Sequence, residues 1–147
     1  MKHIYTIGFT QKTAQEFFEL LKNNNVVLIL DIRLNNTSQL AAFAKYPDIK
    51  YFLKTICNID YVYDSMFAPS EEIMKNYKNK KIDWLQYKKD FSELLKQRNI
   101  NSLIKEKYSS KNNICLLCSE AMPTSCHRQL IAEKFNELFD DIKIIHL

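Results

Sequence analysis

The sequence predicts an α/β protein, a three-layer sandwich in which a mainly parallel, Rossmann-like sheet carries helices on both faces. Three observations predict it. Apolar runs at residues 4–7, 26–30, 114–118 and 142–145 have the length and composition of buried strands. Segments with apolar residues at helical spacing separate them. Strands alternating with helices favour parallel pairing, because each crossover helix must cover one face of the sheet. At 147 residues the chain has the length of one domain, with a helical insert expected around 70–108.

The elements follow in order. Residues 4–7 form a first strand, ended by Gly8. Thr13 and Glu16 have capping-box spacing, and Ala14, Phe17, Phe18 and Leu21 then share a helical face. Residues 26–30 form a central strand that ends at Asp31-Ile32-Arg33. A short helix is expected over 38–45, stopped by Pro47, and a second over 50–57 with Asn58 beyond it. Tyr61-Val62-Tyr63 is a brief strand, and Ser70 with Glu71 and Glu72 opens a helix with acids in its first turn. Asp83 caps a long helix striped by Trp84, Tyr87, Phe91, Leu94 and Leu95, and a further helix covers 101–108. The strand 114–118, a helix over 126–138 and the strand 142–145 complete the chain.

Composition narrows the function. The chain has a single glycine, so neither a dinucleotide-binding glycine fingerprint nor a Walker A loop can be written, and any phosphate must be held by side chains and a helix terminus. A net charge of +4 is compatible with an anionic partner without requiring one. No apolar stretch has membrane-spanning length and no signal-peptide pattern opens the chain, so the expectation is a cytoplasmic protein with four reduced cysteines and no membrane partner.

Chemistry gathers after the strands. In open α/β sheets ligands sit outside the carboxyl ends of the strands. Gly8 and Thr10 follow the first strand, Asp31 and Arg33 the second, Glu120 and Cys126-His127-Arg128 the fourth, and His146 the last. Cys126 at a helix start beside Arg128 suits a nucleophile, and Glu120 or His127 suits proton transfer, Glu120 if partly desolvated. Arg33 and Arg128 suit bidentate binding of phosphate or carboxylate, with internal pairing to Asp31 or Glu120 as the structural alternative. Asp31 reads as an orienting acceptor. Cys115 and Cys118 lie three apart on a strand and so point to opposite faces, which argues against a redox pair. Cys118, Cys126 and His127, with Glu120 or His146, have the right atoms for zinc but match no standard spacing, so no metal and no cofactor is expected.

Thr6-Ile7-Gly8-Phe9-Thr10, Asp31-Ile32-Arg33 with Ser38, Cys118-Ser119-Glu120, Cys126-His127-Arg128 and terminal His146-Leu147 resemble the domain-of-unknown-function family numbered 488. The resemblance implies a compact α/β domain and says nothing of the reaction; Thr10, Arg33, Ser38, Arg128 and His146, gathered around the strand ends, are the expected anion-binding positions. Two positions depart from the family pattern: Phe9 stands where members often carry His, and Asn36 where they carry Pro. The resulting expectation is an enzyme, a hydrolase or transferase, acting on a phosphate-bearing small molecule or nucleic acid in a pocket at the strand ends. Glu120, Cys126 and His127 would be its catalytic residues. The alternative is a non-catalytic module that binds nucleic acid or protein.

Overall fold

The computed structural model describes residues 3–147. Among them five strands form one all-parallel sheet, β1 (His3–Gly8), β2 (Leu28–Asp31), β3 (Asp60–Tyr63), β4 (Ile114–Cys118) and β5 (Lys143–His146), in the order β3-β2-β4-β1-β5. The helices are α1 (Ala14–Asn23), α2 (Asp48–Cys57), α3 (Glu71–Lys78), α4 (Trp84–Gln97), α5 (Ile100–Tyr108) and α6 (His127–Leu138). The architecture is the expected three-layer, Rossmann-like sandwich.

Strand alternation divides the interior into two cores. On one face Tyr5, Ile7, Ile29, Cys115 and Leu117 pack against Phe17, Phe18 and Leu21 of α1 and Ile49 and Leu53 of α2. On the other, Ile4, Leu30 and Leu116 pack against Phe91 and Leu95 of α4, Ile104 of α5, and Ile131 and Phe135 of α6. The central strands are apolar on both sides because both sides are covered.

Local chemistry sets the helix starts as the sequence suggests. The Thr13 hydroxyl accepts from the Glu16 N–H at 3.1 Å, Ser70 from Ile73 at 3.2 Å, and the Asp83 carboxylate from Gln86 at 2.8 Å. Several boundaries shift by one or two residues from the expected ones, among them α2, which begins at Asp48, and β5, which covers Lys143–His146, and two segments need a physical account. The helix expected over 38–45 is a 3₁₀ segment, Gln39–Ala44, interrupted at Ala42, whose φ of 51° is incompatible with helix. The strand expected over 26–30 covers Leu28–Asp31, with Val26 packed in the core and Val27 half exposed just before it.

This topology positions the site. The chain leaves β2 through α2 on one face to reach β3 on one flank. It leaves β4 through α6 on the other face to reach β5 on the opposite flank. Adjacent strands whose connections diverge open a crevice above their carboxyl ends. Here that crevice lies between β2 and β4.

Candidate functional site

A cleft of about 280 Å³ occupies this crevice. Arg33, Leu34 and Asn35 follow β2 along one side, and Ser119 and Glu120 follow β4 along the other. Cys118, Cys126 and His127 lie at its floor, while Met74, Tyr77 and Lys78 of α3 and Tyr87 of α4 form the far wall. The aromatic wall is self-supporting: Tyr77 and Tyr87 pack at 5.1 Å between ring centroids, and Trp84 stacks on Tyr87 at 4.9 Å.

The floor is a buried cluster of two thiols and an imidazole. Cys118 ends β4 and Cys126 caps α6, and the intervening loop folds back so that their sulfurs lie 3.1 Å apart. Cys118 Sγ is 3.8 Å from His127 Nδ1, and His127 Nε2 lies 2.7 Å from the Ile32 carbonyl. That carbonyl can only accept, so Nε2 carries a proton and the ring orientation is set by the strand end. Donation from the Cys126 thiol holds Cys118 well below the ordinary thiol range. The charge and hydrogen bond of His127 and the N–H of Glu120 assist, against burial. Bonding to Cys118 pushes Cys126 far up, and burial and the Cys118 charge act in the same direction. Burial disfavours the His127 imidazolium, but the charge and hydrogen bond of Cys118 outweigh it and raise the His127 pKa. The pair thus favours the proton on Cys126 over Cys118.

Arg33 is 2% exposed and forms a two-pronged pair with Asp31, Nε to Oδ1 at 2.9 Å and Nη2 to Oδ2 at 2.8 Å. Asp31 also accepts from the Tyr61 hydroxyl at 2.5 Å and from the Arg33 N–H, which makes it the orienting acceptor expected. Burial opposes the Arg33 charge, but Asp31 more than offsets it and raises its pKa. The guanidinium carbon lies 5.5 Å from the Phe9 ring centroid, so Phe9 contributes a cation–π face. Arg33 Nη1 is buried with no hydrogen-bond partner among the described residues.

Arg128 differs. It is fully buried, and it donates from Nη1 to the Glu120 carbonyl at 2.8 Å and from Nη2 to the Ala121 carbonyl at 3.3 Å. Gly8 makes room for this arrangement, since a Cβ there would lie 1.6 Å from the Glu120 oxygen and 2.6 Å from Arg128 Nη1. Thr10 adds a second tether, with its N–H and its hydroxyl both donating to the Ser119 carbonyl. Arg128, Gly8 and Thr10 therefore clamp the loop that carries Cys118 and Cys126 into register.

Of the residues singled out from sequence, Arg33, Glu120, Cys126 and His127 meet at the cleft. The others do not line it. Arg128 donates from Nη1 and Nη2 to loop carbonyls, with its buried Nε unpartnered among the described residues, and Thr10 holds the same loop. Ser38 caps the 3₁₀ segment by accepting from the Leu40 N–H at 3.2 Å. His146 faces Thr6, with Nδ1 2.6 Å from its hydroxyl. Glu120 is exposed rather than partly desolvated, and its structural contact is through its main-chain carbonyl. Cys118, which the sequence offers only as a strand cysteine or as a zinc donor at non-standard spacing and not as a catalytic or anion-binding residue, joins Arg33, Cys126 and His127 at the cleft as the last residue of β4. Met74, Tyr77, Lys78 and Tyr87 carried no sequence signal for this place, because tertiary packing alone brings them to the strand ends.

No curated protein and no solved structure matches the chain. A family model does, over residues 13–135, a span that contains Arg33, Cys118, Glu120, Cys126 and His127. No helix among the described residues is long and apolar enough to cross a membrane. The chain belongs to the family described as domain of unknown function DUF488.

Proposed function

We propose that the cleft between β2 and β4 is the catalytic pocket of an enzyme acting on a phosphate-bearing substrate, a nucleotide or a nucleic-acid end. One observation carries the reading: a Cys–Cys–His cluster, an arginine with an uncommitted nitrogen and a lysine line one crevice at the topological switch point. The cluster supplies the reacting groups. Arg33 and Lys78 flank it as cations for the phosphate, with Asp31 fixing the Arg33 guanidinium before the ligand arrives. Tyr77 and Tyr87 offer aromatic surface to a base or sugar. Exposed Glu120 stands at the rim as the candidate general acid or base.

The test is thermal unfolding of metal-free protein with inorganic phosphate, mononucleotides and short oligonucleotides. A ligand at 100 times its Kd raises Tm by roughly 5–10 °C for a chain of this size. The rise should shrink with added salt and vanish in Lys78→Glu. Absence of any shift across the panel would remove the proposal. Lys75, Lys78, Lys80 and Lys81 lie on α3 or just beyond it, and this favours a second reading as a nucleic-acid-binding module. Oligonucleotide binding that depends on all four lysines, yet is indifferent to the cleft variants Cys118→Ser and Arg33→Lys, would select that reading.

A further inference from the structure

We infer that Cys118, Cys126 and His127 form a zinc site whose fourth coordination position opens into the cleft. Their ligand atoms all lie within 4.8 Å of one another, and all three residues are buried at the cleft floor. Two thiolates and an imidazole are a soft donor set of the kind that selects zinc over magnesium or calcium. Tetrahedral zinc holds two sulfurs about 3.8 Å apart and a sulfur and a nitrogen about 3.6 Å apart, from bond lengths of about 2.3 and 2.0–2.1 Å. Cys118 Sγ and His127 Nδ1 are already 3.8 Å apart. The sulfurs, at 3.1 Å, need to open by about 0.7 Å, within reach of a small side-chain rotation at the cap of α6.

The surroundings suit an ion. His127 turns Nδ1 toward Cys118 while Nε2 is hydrogen-bonded to the Ile32 carbonyl, the backing that metal-bound imidazoles commonly have. Two thiolates neutralise the divalent charge, so the loaded site can stay buried without a further counter-ion. Glu120 is exposed and does not join the cluster as a fourth protein ligand. Three protein ligands with the fourth position open is the arrangement of catalytic rather than structural zinc. Sequence spacing concealed this. Seven residues separate the two cysteines, matching no standard signature, and they meet only because Arg128, Gly8 and Thr10 fold the loop back.

Binding of the ion stands on this geometry alone. Its role, to hold a water or a substrate oxygen at the open position, rests on the reading of the cleft as a catalytic pocket. The experiment separates the two. Metal-free protein made without a histidine tag is titrated with Co²⁺ and followed by its thiolate-to-cobalt charge-transfer absorbance, then challenged with Zn²⁺. One cobalt per chain, displaced by zinc, is expected, and one zinc per chain should survive gel filtration. Cys118→Ser and Cys126→Ser should abolish the band, and His127→Gln should weaken binding by roughly 100-fold or more, since loss of an outer-shell partner alone costs about 10–100-fold, whereas Cys57→Ser should leave it unchanged. A Tm rise with zinc in the parent protein gives a readout that does not depend on how the variants fold. Absence of the band and of the Tm rise in folded parent protein overturns the site. Phosphate-induced stabilisation of the metal-free protein, measured separately, would then leave the cleft proposal standing without the ion.

Discussion

Gly8 shows how a single residue governs the site without touching a ligand. Its missing Cβ leaves space for the Glu120 carbonyl and the Arg128 guanidinium, and neither can move away cheaply. Gly8→Ala should cost roughly 1–3 kcal/mol by overpacking, and it should displace the loop that presents Cys118 to Cys126. Urea unfolding and cobalt binding measured on the same variant check this; parental stability with intact metal binding would show that the clamp is not needed. The sequence marked Gly8 as a strand terminator at the rim and gave it no packing partner. Its place against a loop more than a hundred residues later has no local signature. For Arg128 the sequence leaves anion binding and internal pairing open for a related reason, since whether a guanidinium faces a ligand or main-chain carbonyls is decided by the fold around it.

At the scale of elements, strand alternation separates the cysteines by role. Cys115 lies in the apolar core beneath α1 and α2, where burial pushes its thiol far up, while Cys118 reaches the cleft on the other face. Cys115→Ala should therefore cost about 1 kcal/mol as a small cavity and leave cobalt binding and phosphate response intact. A variant that lost cobalt binding while staying folded would place Cys115 in the site. The strands were legible because a buried parallel strand must be apolar on both faces and leaves an unmistakable run. The helix starts were legible because Thr13, Ser70 and Asp83 cap their own helices through bonds to residues three further on. The segment from 38 to 45 was not, because Ala42 adopts a positive φ that its side chain does not announce.

For the whole molecule, buried phenols make alkaline pH the condition to probe. Burial and the charge of Asp64 push Tyr108 up to about 12, and burial with the charge of Asp31 raises Tyr61 as well. A folded-state pKa above the unfolded value of about 10 contributes stability that is fully present below pH 10 and lost as pH rises through the folded value. Stability should thus decline above pH 10, and tyrosinate absorbance should appear in two steps, exposed phenols first and the buried ones with unfolding. A single step near pH 10 with the protein still folded would contradict the burial of Tyr61 and Tyr108.

Apolar runs, their spacing and the capping residues determined the α/β sandwich and the rim where chemistry would gather, because strand burial and helix starts depend on residues close along the chain. Which rim residues share a crevice was a tertiary decision. Arg33 and Cys118 become neighbours through the strand order, α3 and α4 supply a wall from a distant segment, and Arg128 turns inward. The physical reason is range: hydrophobic period is written locally, whereas the meeting of two sulfurs and an imidazole depends on how loops with little periodicity of their own pack over a finished sheet.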